Sequence, residues 1–271
     1  MNKKVDDLDK NIQNVWITGA SSGIGEELAY LFSQQNYHLI LTARRLEELE
    51  RVKNGCKDPS RCSIFKMDLS DSEQIKEIAD QVLSTFGSVD ILIHNGGISQ
   101  RSLIAETPIE IDRLLMEVDY FGSVILTKKL LPSMLYRHKG HIVAISSIVS
   151  MFGFPQRAAY SAAKHAMNAF YETLWAENQA DGIRTTIVYP GRIITRVSYN
   201  AITKDGTAHG VMDNAQQKGI PATLCAKKIK KGIDKNKRQI YICQNDIWMV
   251  RIKRFFPLLY YKIVSKIKPN G

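Results

Sequence analysis

Tyr160, Lys164 and Ser147 are the residues of this sequence best suited to chemistry on an oxygen atom. Tyr160 and Lys164 lie four positions apart in the segment YSAAK, a spacing that puts two side chains on one face of a helix. An ammonium group beside a phenol stabilises the phenolate, which suits a tyrosine that exchanges a proton with a carbonyl or alcohol oxygen. The hydroxyl of Ser147 can hold that same oxygen. A Tyr–Lys pair at this spacing also arises by chance, so its meaning depends on the surrounding elements.

A glycine-rich segment near the start of the chain supplies that context. The segment TGASSGIG begins at Thr18, after the apolar run Val15–Ile17, and leads into an amphipathic stretch. A strand, a turn and a helix N-terminus in this order present backbone N–H groups and the positive end of the helix dipole to a pyrophosphate. Gly19 permits the tight turn, while Gly23 and Gly25 permit close approach of a ligand. The alternative, a glycine-rich turn without a ligand, is disfavoured by the strand-to-helix context.

Apolar runs alternate with amphipathic segments along the rest of the chain. This alternation predicts a single-domain α/β fold, a doubly wound seven-stranded parallel sheet with helices on both faces. The predicted strands lie near residues 14–18, 38–43, 61–67, 89–93, 139–146, 184–190 and 239–243. The predicted helices lie near residues 24–35, 45–54, 71–86, 109–137, 157–179 and 221–235. We place the domain at residues 1–245, with a lid-like insertion at about 196–220 and a C-terminal extension at 246–271.

These ordered motifs identify the chain as a member of the short-chain dehydrogenase/reductase family, which it resembles over about residues 12–245. Further matching motifs are DL at 68–69, HNGG at 94–97, ISS at 145–147 and PGRIIT at 190–195. The resemblance implies a Rossmann fold with strand order 3-2-1-4-5-6-7 and catalysis by Ser147, Tyr160 and Lys164. We also expect a homodimer or homotetramer. The implied dinucleotide site comprises Gly19, Ser21, Ser22, Gly23, Ile24, Asp68, Leu69, Asn95, Gly96, Tyr160, Lys164, Pro190, Ile193 and Thr195.

Two positions depart from the family pattern. Asp119 stands where the family has an Asn that kinks its helix and whose backbone carbonyl binds a water beside the catalytic Lys. Because Asp and Asn both tolerate irregular backbone geometry, that backbone role is compatible with Asp119. We count Asp119 among the catalytic residues: its carboxylate either moves the pH optimum of the catalytic pair upward or has no effect. His94 replaces another family Asn, and we expect a packed, hydrogen-bonded histidine there and not a catalytic one.

Arg44 and Arg45 follow the second predicted strand and bear on the choice of cofactor. A site that prefers NAD(H) usually carries an acidic residue at this point, which accepts hydrogen bonds from the ribose. Here that carboxylate is missing, and a guanidinium group suits the additional phosphate of NADP(H). The sequence therefore favours NADP(H) over NAD(H). The alternative is that both arginines are solvated residues that open the next helix.

Three longer segments narrow the resemblance to the dehydrogenase/reductase member-seven subgroup, including its 7B branch. They are NGGISQRSL, YFGSVILTKKLLPSM and SYNAITKDGTAHGVMD. Those enzymes are membrane-associated and act on hydrophobic carbonyls; without a counterpart of their N-terminal anchor, we expect a soluble, bacterial-type relative. The resemblance implies a hydrophobic ketone, aldehyde or alcohol as substrate. We expect the substrate to contact Ser147 and a wall formed by Ser99, Gln100, Met151, Phe154, Gln156, Arg157 and Arg192.

Charge and composition exclude several other classes of protein. The N-terminus lacks an apolar signal segment and no eighteen-residue apolar run occurs, which predicts a cytoplasmic protein. The four cysteines lack metal-ligand spacing, so we expect no metal site. The net charge of +10 lies at the C-terminal end, where residues 227–271 hold thirteen Lys and Arg against two acids. No nucleic-acid-binding motif accompanies this charge, so we expect no nucleic-acid partner.

The tail from Ile247 to Lys268 has the pattern of a basic amphipathic helix divided at Pro257. Apolar residues recur at steps of three and four, with basic residues between them. Such a helix either lies on an anionic membrane, here the inner face, or packs on its own domain or on a second subunit. For the whole chain, the leading hypothesis is a dehydrogenase/reductase. The alternatives are a non-catalytic dinucleotide sensor and a membrane-surface protein with the same fold.

Overall fold

The computed structural model describes residues 12–267; residues 1–11 and 268–271, including Lys268 of the predicted tail, lie outside it. Its main sheet has seven parallel strands in the order β3-β2-β1-β4-β5-β6-β9. These strands are β1 (Gln13–Thr18), β2 (Tyr37–Ala43), β3 (Cys62–Lys66), β4 (Ile91–His94), β5 (Gly140–Ile145), β6 (Ile183–Pro190) and β9 (Gln239–Ile242). The predicted seven-stranded doubly wound fold and its strand order are confirmed.

Helices cover both faces of the sheet. They are α1 (Gly23–Ser33), α2 (Leu46–Gly55), α3 (Ser72–Phe86), α4 (Ile109–Met116), α5 (Gly122–Tyr136), α6 (Ala158–Asn178) and α8 (Ala222–Asp234). Successive residues of β1 point to opposite faces, so Val15 and Ile17 pack in one buried core while Trp16 packs in the other. The first core includes Phe32 of α1, and the second includes Tyr171 of α6. Each core is apolar on both the sheet and the helix side, which explains why the sequence periodicity was informative.

One π-helical turn interrupts the predicted helix 109–137. It covers Glu117–Phe121 and joins α4 to α5, so the chain continues as one rod with a wider turn around Asp119. A π turn admits an additional residue into a helix and turns a side chain that would otherwise point elsewhere. The helical periodicity alone does not reveal this turn, although the family resemblance implies an irregularity at this position.

The predicted lid, residues 196–220, lies between β6 and α8. At its base, β7 (Ile193–Ile194) pairs with β8 (Ile220–Pro221) in a two-stranded parallel sheet that the sequence did not predict. The lid carries a short helix, α7 (Asn214–Gln217). A backbone bridge joins Ile202 of the lid to Gln100 after β4. The lid therefore lies over the carboxyl ends of β4 and β6.

The described part of the tail forms two helices, α9 (Ile247–Phe255) and α10 (Pro257–Val264). Pro257 is the first residue of α10, where its fixed φ and missing N–H are tolerated, so the predicted division at this residue is present. Between residues 12 and 267, no helix combines the length and apolarity needed to span a membrane.

Candidate active site

A cavity of about 540 Å³ lies at the carboxyl ends of the strands. This is the edge at which open α/β sheets bind ligands. All the residues predicted for catalysis or for the cofactor lie on its wall. They are Gly19, Ser21, Ser22, Gly23, Ile24, Arg44, Arg45, Asp68, Leu69, Asn95, Gly96, Asp119, Ser147, Tyr160, Lys164, Pro190, Ile193 and Thr195. The fold therefore brings together side chains that are up to 176 positions apart in the sequence.

The loop after β1 is locked to the loop after β4. Asn95 Nδ2 donates to the carbonyl oxygens of Thr18 and Gly19 at 3.2 and 3.0 Å, and the Thr18 hydroxyl oxygen accepts from the N–H groups of Asn95 and Gly96 at 3.1 and 3.0 Å. Gly19 has a φ of +62°, and a Cβ atom there would lie 2.5 Å from the Gly96 Cα. Only glycine fits both constraints. The role of Thr18 was missed, although it opens the glycine motif.

The residues on this side of the cavity fit a dinucleotide. The N-cap of α1, Ser22, makes no side-chain capping bond, so the first N–H groups of this eleven-residue helix have no cap from that side chain. Such a helix end attracts a phosphate. Arg44 and Arg45 are exposed on the wall, and neither forms an ion pair with the residues that the structure describes. Two unpaired guanidinium groups beside a phosphate-binding helix end match an anionic ligand.

The residues predicted for catalysis lie just after β5 and on α6. Lys164 is 3% exposed, and its Nζ lies 5.9 Å from the centroid of the Tyr160 ring. The same ammonium donates to the Ile145 carbonyl oxygen at 3.4 Å, which ties α6 to the end of β5. Ser147 follows β5 and caps the 3₁₀ turn 148–150, accepting from the Val149 N–H at 3.4 Å. A phenol, an ammonium and a hydroxyl thus face one cavity, as the spacing predicted.

Asp119 reaches the catalytic lysine with its side chain. Its Oδ1 lies 3.3 Å from Lys164 Nζ and accepts from the Ile98 N–H at 3.1 Å, while its Oδ2 has no partner among the described residues. The carboxyl is fully buried; burial raises its pKa, against the opposing effects of the Lys164 charge and the Ile98 N–H. The resemblance implied only a backbone role here. The structure adds a direct side-chain contact, made possible by the π turn.

His94 is a packed residue below the cavity. Its Nε2 lies 2.8 Å from the Thr127 hydroxyl oxygen, and its ring lies 5.6 Å from that of Tyr171. Burial, reinforced by the charge of Lys164, lowers the pKa of His94 to about 3, so the ring is neutral at working pH. This environment agrees with the predicted hydrogen-bonded histidine.

The prediction for the substrate wall needs correction. Of the seven wall residues, only Ser99 lines the cavity. Gln100 is fully buried, and its Oε1 accepts from the N–H groups of Ala159 and Tyr160 at 3.0 and 3.3 Å, so it caps the start of α6. The residues without a place on the wall are Gln100, Met151, Phe154, Gln156, Arg157 and Arg192. Motif position placed them near the site, but the side chains of Gln100, Phe154, Arg157 and Arg192 are engaged in other contacts.

Arg157 illustrates the reason. Its guanidinium lies 4.8 Å from the centroid of the Phe154 ring and 3.3 Å from Asp213 Oδ2, so both predicted wall residues are engaged with each other and with the lid. Burial lowers the pKa of Arg157 to about 10, which leaves it charged at neutral pH. Gln156 has a φ of +63°, and its carbonyl accepts from the Ser102 N–H at 3.3 Å. These contacts make the loop before α6 a support for the lid.

The lid is held by a partly buried ion pair and by backbone bonds. Arg101 Nη2 lies 2.5 Å from Asp213 Oδ2, so two arginines converge on one lid carboxylate. Although burial opposes its ionisation, the hydrogen bond from Arg101 and the two positive charges lower the pKa of Asp213. Ile202 donates to the Ser99 carbonyl at 2.7 Å. The lid residues on the cavity wall, which the sequence did not single out, are Arg196, Val197, Asn200, Ile202, Gly206, Ala208 and Gln216.

Comparisons with known proteins agree with this architecture. The family model for short chain dehydrogenases matches residues 13–206. The Dehydrogenase/reductase SDR family protein 7-like of Drosophila melanogaster is 43% identical over 258 residues, which cover 93% of this chain and 79% of the relative. The Dehydrogenase/reductase SDR family member 7B of Mus musculus is 39% identical and matches 93% of this chain and 80% of its own.

Solved structures share the fold. ElxO with NADP bound has a TM-score of 0.76 and 27% identity, and the match covers 88% of this chain and 99% of that one. A short-chain dehydrogenase/reductase from Burkholderia phymatum in complex with NAD has a TM-score of 0.80 and 20% identity, covering 96% and 97% of the two chains. The second likeness establishes the fold alone.

Proposed function

The chain belongs to the short-chain dehydrogenase/reductase family and is an oxidoreductase, and we propose that it uses NADP(H) to interconvert a hydrophobic ketone or aldehyde and the corresponding alcohol. The observation that carries the proposal is the convergence of Ser147, Tyr160 and Lys164 on a cavity whose other end is a phosphate-binding glycine loop. Acid–base groups beside a dinucleotide site suit the transfer of a hydride and a proton.

Each side chain has a distinct task in the reduction. The Ser147 hydroxyl donates a hydrogen bond to the substrate carbonyl oxygen and fixes its position. When bound, the reduced nicotinamide supplies the hydride. The Tyr160 hydroxyl gives its proton to the same oxygen, which becomes the alcohol, and the phenolate left behind lies beside the Lys164 ammonium. Alcohol oxidation follows the same contacts in reverse, with the phenolate as base.

Asp119 holds the ammonium in place. Lys164 is bound between the Ile145 carbonyl and the Asp119 carboxyl, both of which lie on its buried side. These contacts hold the ammonium at a fixed position beside the Tyr160 ring. A preorganised charge of this kind stabilises a developing negative charge without having to reorient.

The preference for NADP(H) rests on Arg44 and Arg45. Both lie on the cavity wall at the end of β2, and the adjacent Ala43 leaves this point without a carboxylate. A guanidinium pair favours an additional phosphate, whereas an acidic residue would favour a free ribose hydroxyl. The NADP bound to ElxO, a relative in fold at 27% identity, supports a dinucleotide at this edge of the sheet.

The apolar part of the lid supports a hydrophobic substrate. Val197, Ile202 and Ala208 face the cavity, next to the hydroxyl of Ser99. Beside the polar Arg196, Asn200 and Gln216 of the lid, these apolar side chains give a hydrophobic ligand a surface on which to bury apolar area.

Consumption of NADPH in the presence of a graded series of aliphatic, aromatic and polycyclic ketones tests the proposal. We expect turnover to rise with the apolar surface of the ketone. Tyr160→Phe should lower turnover by at least about 10²-fold, the scale of a lost general acid, with NADPH affinity nearly unchanged. Tyr136→Phe is the matched control, because Tyr136 is 89% exposed on the far end of α5. Retention of more than a tenth of the activity by Tyr160→Phe would rule out the assigned proton donor.

A further inference from the structure

The tail helices α9 and α10 are seated on the loops that frame the catalytic site. The Tyr260 hydroxyl donates to the Gly153 carbonyl oxygen at 2.5 Å, and Lys253 Nζ donates to that of Met151 at 2.9 Å. Tyr260 is 4% exposed and forms one small apolar core with Ile148 and Phe152. The inner side of the tail is therefore packed on the segment that follows Ser147.

The start of the tail is tied to a second loop of the site. Asp246, the N-cap of α9, lies 3.5 Å from Arg192 Nε, and a Cβ atom at Gly191 would lie 2.6 Å from its Oδ2. Gly191 is on the cavity wall. The tail thus contacts the loops after both β5 and β6, which carry the serine and the predicted nicotinamide contacts.

The opposite side of the tail exposes a group of large apolar side chains, which we call the tail face. Its members are between 46% and 85% exposed: Trp248, Phe255, Phe256, Leu258, Leu259 and Tyr261. Four of them surround the break between the two helices at Pro257. A scattered exposed leucine is ordinary, but adjacent aromatic and aliphatic side chains mark a surface that meets another apolar phase.

The charge around the tail face is of one sign. Arg251, Arg254, Lys262 and Lys266 are exposed, and the sequence contains no acidic residue after Asp246. The Arg251 guanidinium lies 5.0 Å from the centroid of the Trp248 ring. Two copies of the chain that met through this face would bring like charges together without compensation. An anionic layer with an apolar interior complements both features, and tryptophan and tyrosine are enriched at such interfaces.

We propose that the tail face docks the protein on the surface of a bilayer that contains anionic lipids, with the aromatic side chains inserted at the headgroup level. The helices that carry this face pack on the loop 148–153, which follows Ser147, so the docked protein holds that loop close to the bilayer surface. The catalytic domain stays outside the bilayer, since the tail helices lie on the domain and do not project from it.

Binding of the full-length protein to vesicles tests the proposal. We expect co-sedimentation with phosphatidylcholine vesicles that contain phosphatidylglycerol, weak binding to phosphatidylcholine alone, and loss of binding as salt shortens the Debye length. The triple variant Arg251→Gln, Arg254→Gln, Lys262→Gln should weaken partitioning at least tenfold, since each basic residue near such a surface is worth roughly fivefold. The control with equal loss of charge is Lys227→Gln, Lys228→Gln, Lys235→Gln, on α8 and at its C-cap, which should bind within about threefold of the wild type.

The apolar part is tested separately. Phe255→Ser with Leu258→Ser should weaken binding at least tenfold, while turnover of a water-soluble ketone stays unchanged because neither residue touches the site. Tyr136→Ser, which changes an exposed tyrosine on α5, should leave binding to vesicles at the wild-type level. Among the three tryptophans, Trp16 is fully buried and Trp248 is 56% exposed, so vesicles with brominated acyl chains should quench a signal that Trp248→Phe removes.

Several outcomes would overturn the proposal. One is full-length protein that ignores anionic vesicles at low salt; another is an α8 control that loses as much binding as the tail variant. If sedimentation velocity without lipid shows a dimer that Phe255→Ser with Leu258→Ser dissociates, and vesicles leave the wild type unbound, the face is a subunit interface. If an acidic protein binds this face and thereby displaces the chain from vesicles, the face is the docking site of a protein partner.

Discussion

The two sides of the active-site cavity are held together by different kinds of contact. On the cofactor side, the short side chains of Thr18 and Asn95 bond to backbone atoms of the facing loop, and Gly19 has no space for a Cβ. On the substrate side, Asp213 of the lid is held by the long side chains of Arg101 and Arg157. The first side is fixed by close packing and short hydrogen bonds, and the second by ion pairs between long side chains. We therefore expect substitutions on the two sides to affect different kinetic quantities.

The largest effect should come from a methyl group at Gly19. Gly19→Ala adds a Cβ that would lie 2.5 Å from the Gly96 Cα, at a φ of +62°. Backbone strain and the collision together cost about 3 kcal/mol or more, which should weaken NADPH binding at least roughly a hundredfold. A fluorescence titration of NADPH measures this. Gly87→Ala separates the two causes, because Gly87 has a similar φ of +70° with no atom within 4 Å. Equal losses in both variants would mean that close packing of the two loops is unimportant.

The next effect concerns the choice between cofactors. Arg44→Ala with Arg45→Ala should weaken NADPH by about ten- to a hundredfold, because a charge-assisted contact to phosphate is worth roughly 1.5–3 kcal/mol. NADH, which lacks that phosphate, should lose less than about threefold. Arg113→Ala, an exposed arginine on α4 away from the cavity wall, is the control. If both cofactors weaken equally, the two arginines serve only the start of α2.

A smaller effect is expected at the lid. Asp213→Asn removes the shared carboxylate, and we expect the KM for the ketone to rise about five- to tenfold, or roughly 1 kcal/mol, with NADPH affinity unchanged. The lowered pKa of Asp213 means that its stabilising contribution is complete above the ordinary carboxyl range and lost only as pH falls through the lowered value. Neutral and mildly alkaline buffers should therefore leave KM constant. Asp234→Asn, which breaks the Lys230–Asp234 pair of α8, should not change KM.

The smallest effect is expected where the two sides meet. Asp119→Asn keeps the shape but removes a charge 3.3 Å from Lys164, which should move the alkaline limb of the pH–rate profile to lower pH by up to about one unit. Because burial raises the pKa of Asp119, this carboxyl ionises at a higher pH in the folded protein than in the unfolded chain. The free energy of unfolding should then fall as pH rises from the ordinary carboxyl range through the raised value, and the Asn variant should lack this slope.

Urea titrations at different pH values measure the free energy of unfolding, and pH–rate profiles measure the shift of the alkaline limb. Glu110→Gln, at an exposed position of α4, is the control for loss of a carboxylate from the same rod. An unchanged profile would leave position 119 with a backbone role only.

The same contrast explains what could be predicted from the sequence. Strand and helix positions follow from apolar periodicity, and each predicted main-sheet strand lies within two residues of its observed bounds. The cofactor side was predictable because glycines with fixed spacing report directly on backbone geometry. The side-chain contact of Asp119 was not, since it depends on a π turn that periodicity does not encode.

The substrate side was less accessible for a physical reason. Gln100 and Arg157 belong to segments adjacent to the site, but where their side chains point depends on α6 and on Asp213, distant in sequence. The sequence identified the lid as a segment, but which of its residues line the cavity depends on how the segment folds back over the site. The role of Gln100 as a cap on α6 could have been sought only once the loop and the helix were known to meet.

The small sheet β7–β8 has a consequence for how this scaffold could change its specificity over evolution. Ile193 and Ile220 are buried in the main core and pair at the two stems of the lid, so the stems stay together whatever the intervening chain does. For a loop with fixed ends, doubling the length costs only about 0.6 kcal/mol of closure entropy. Residues 196–219 can thus act as an exchangeable cassette, replaced by insertion, deletion or design, while the residues proposed for proton transfer, which follow β5 or lie on α6, are inherited intact.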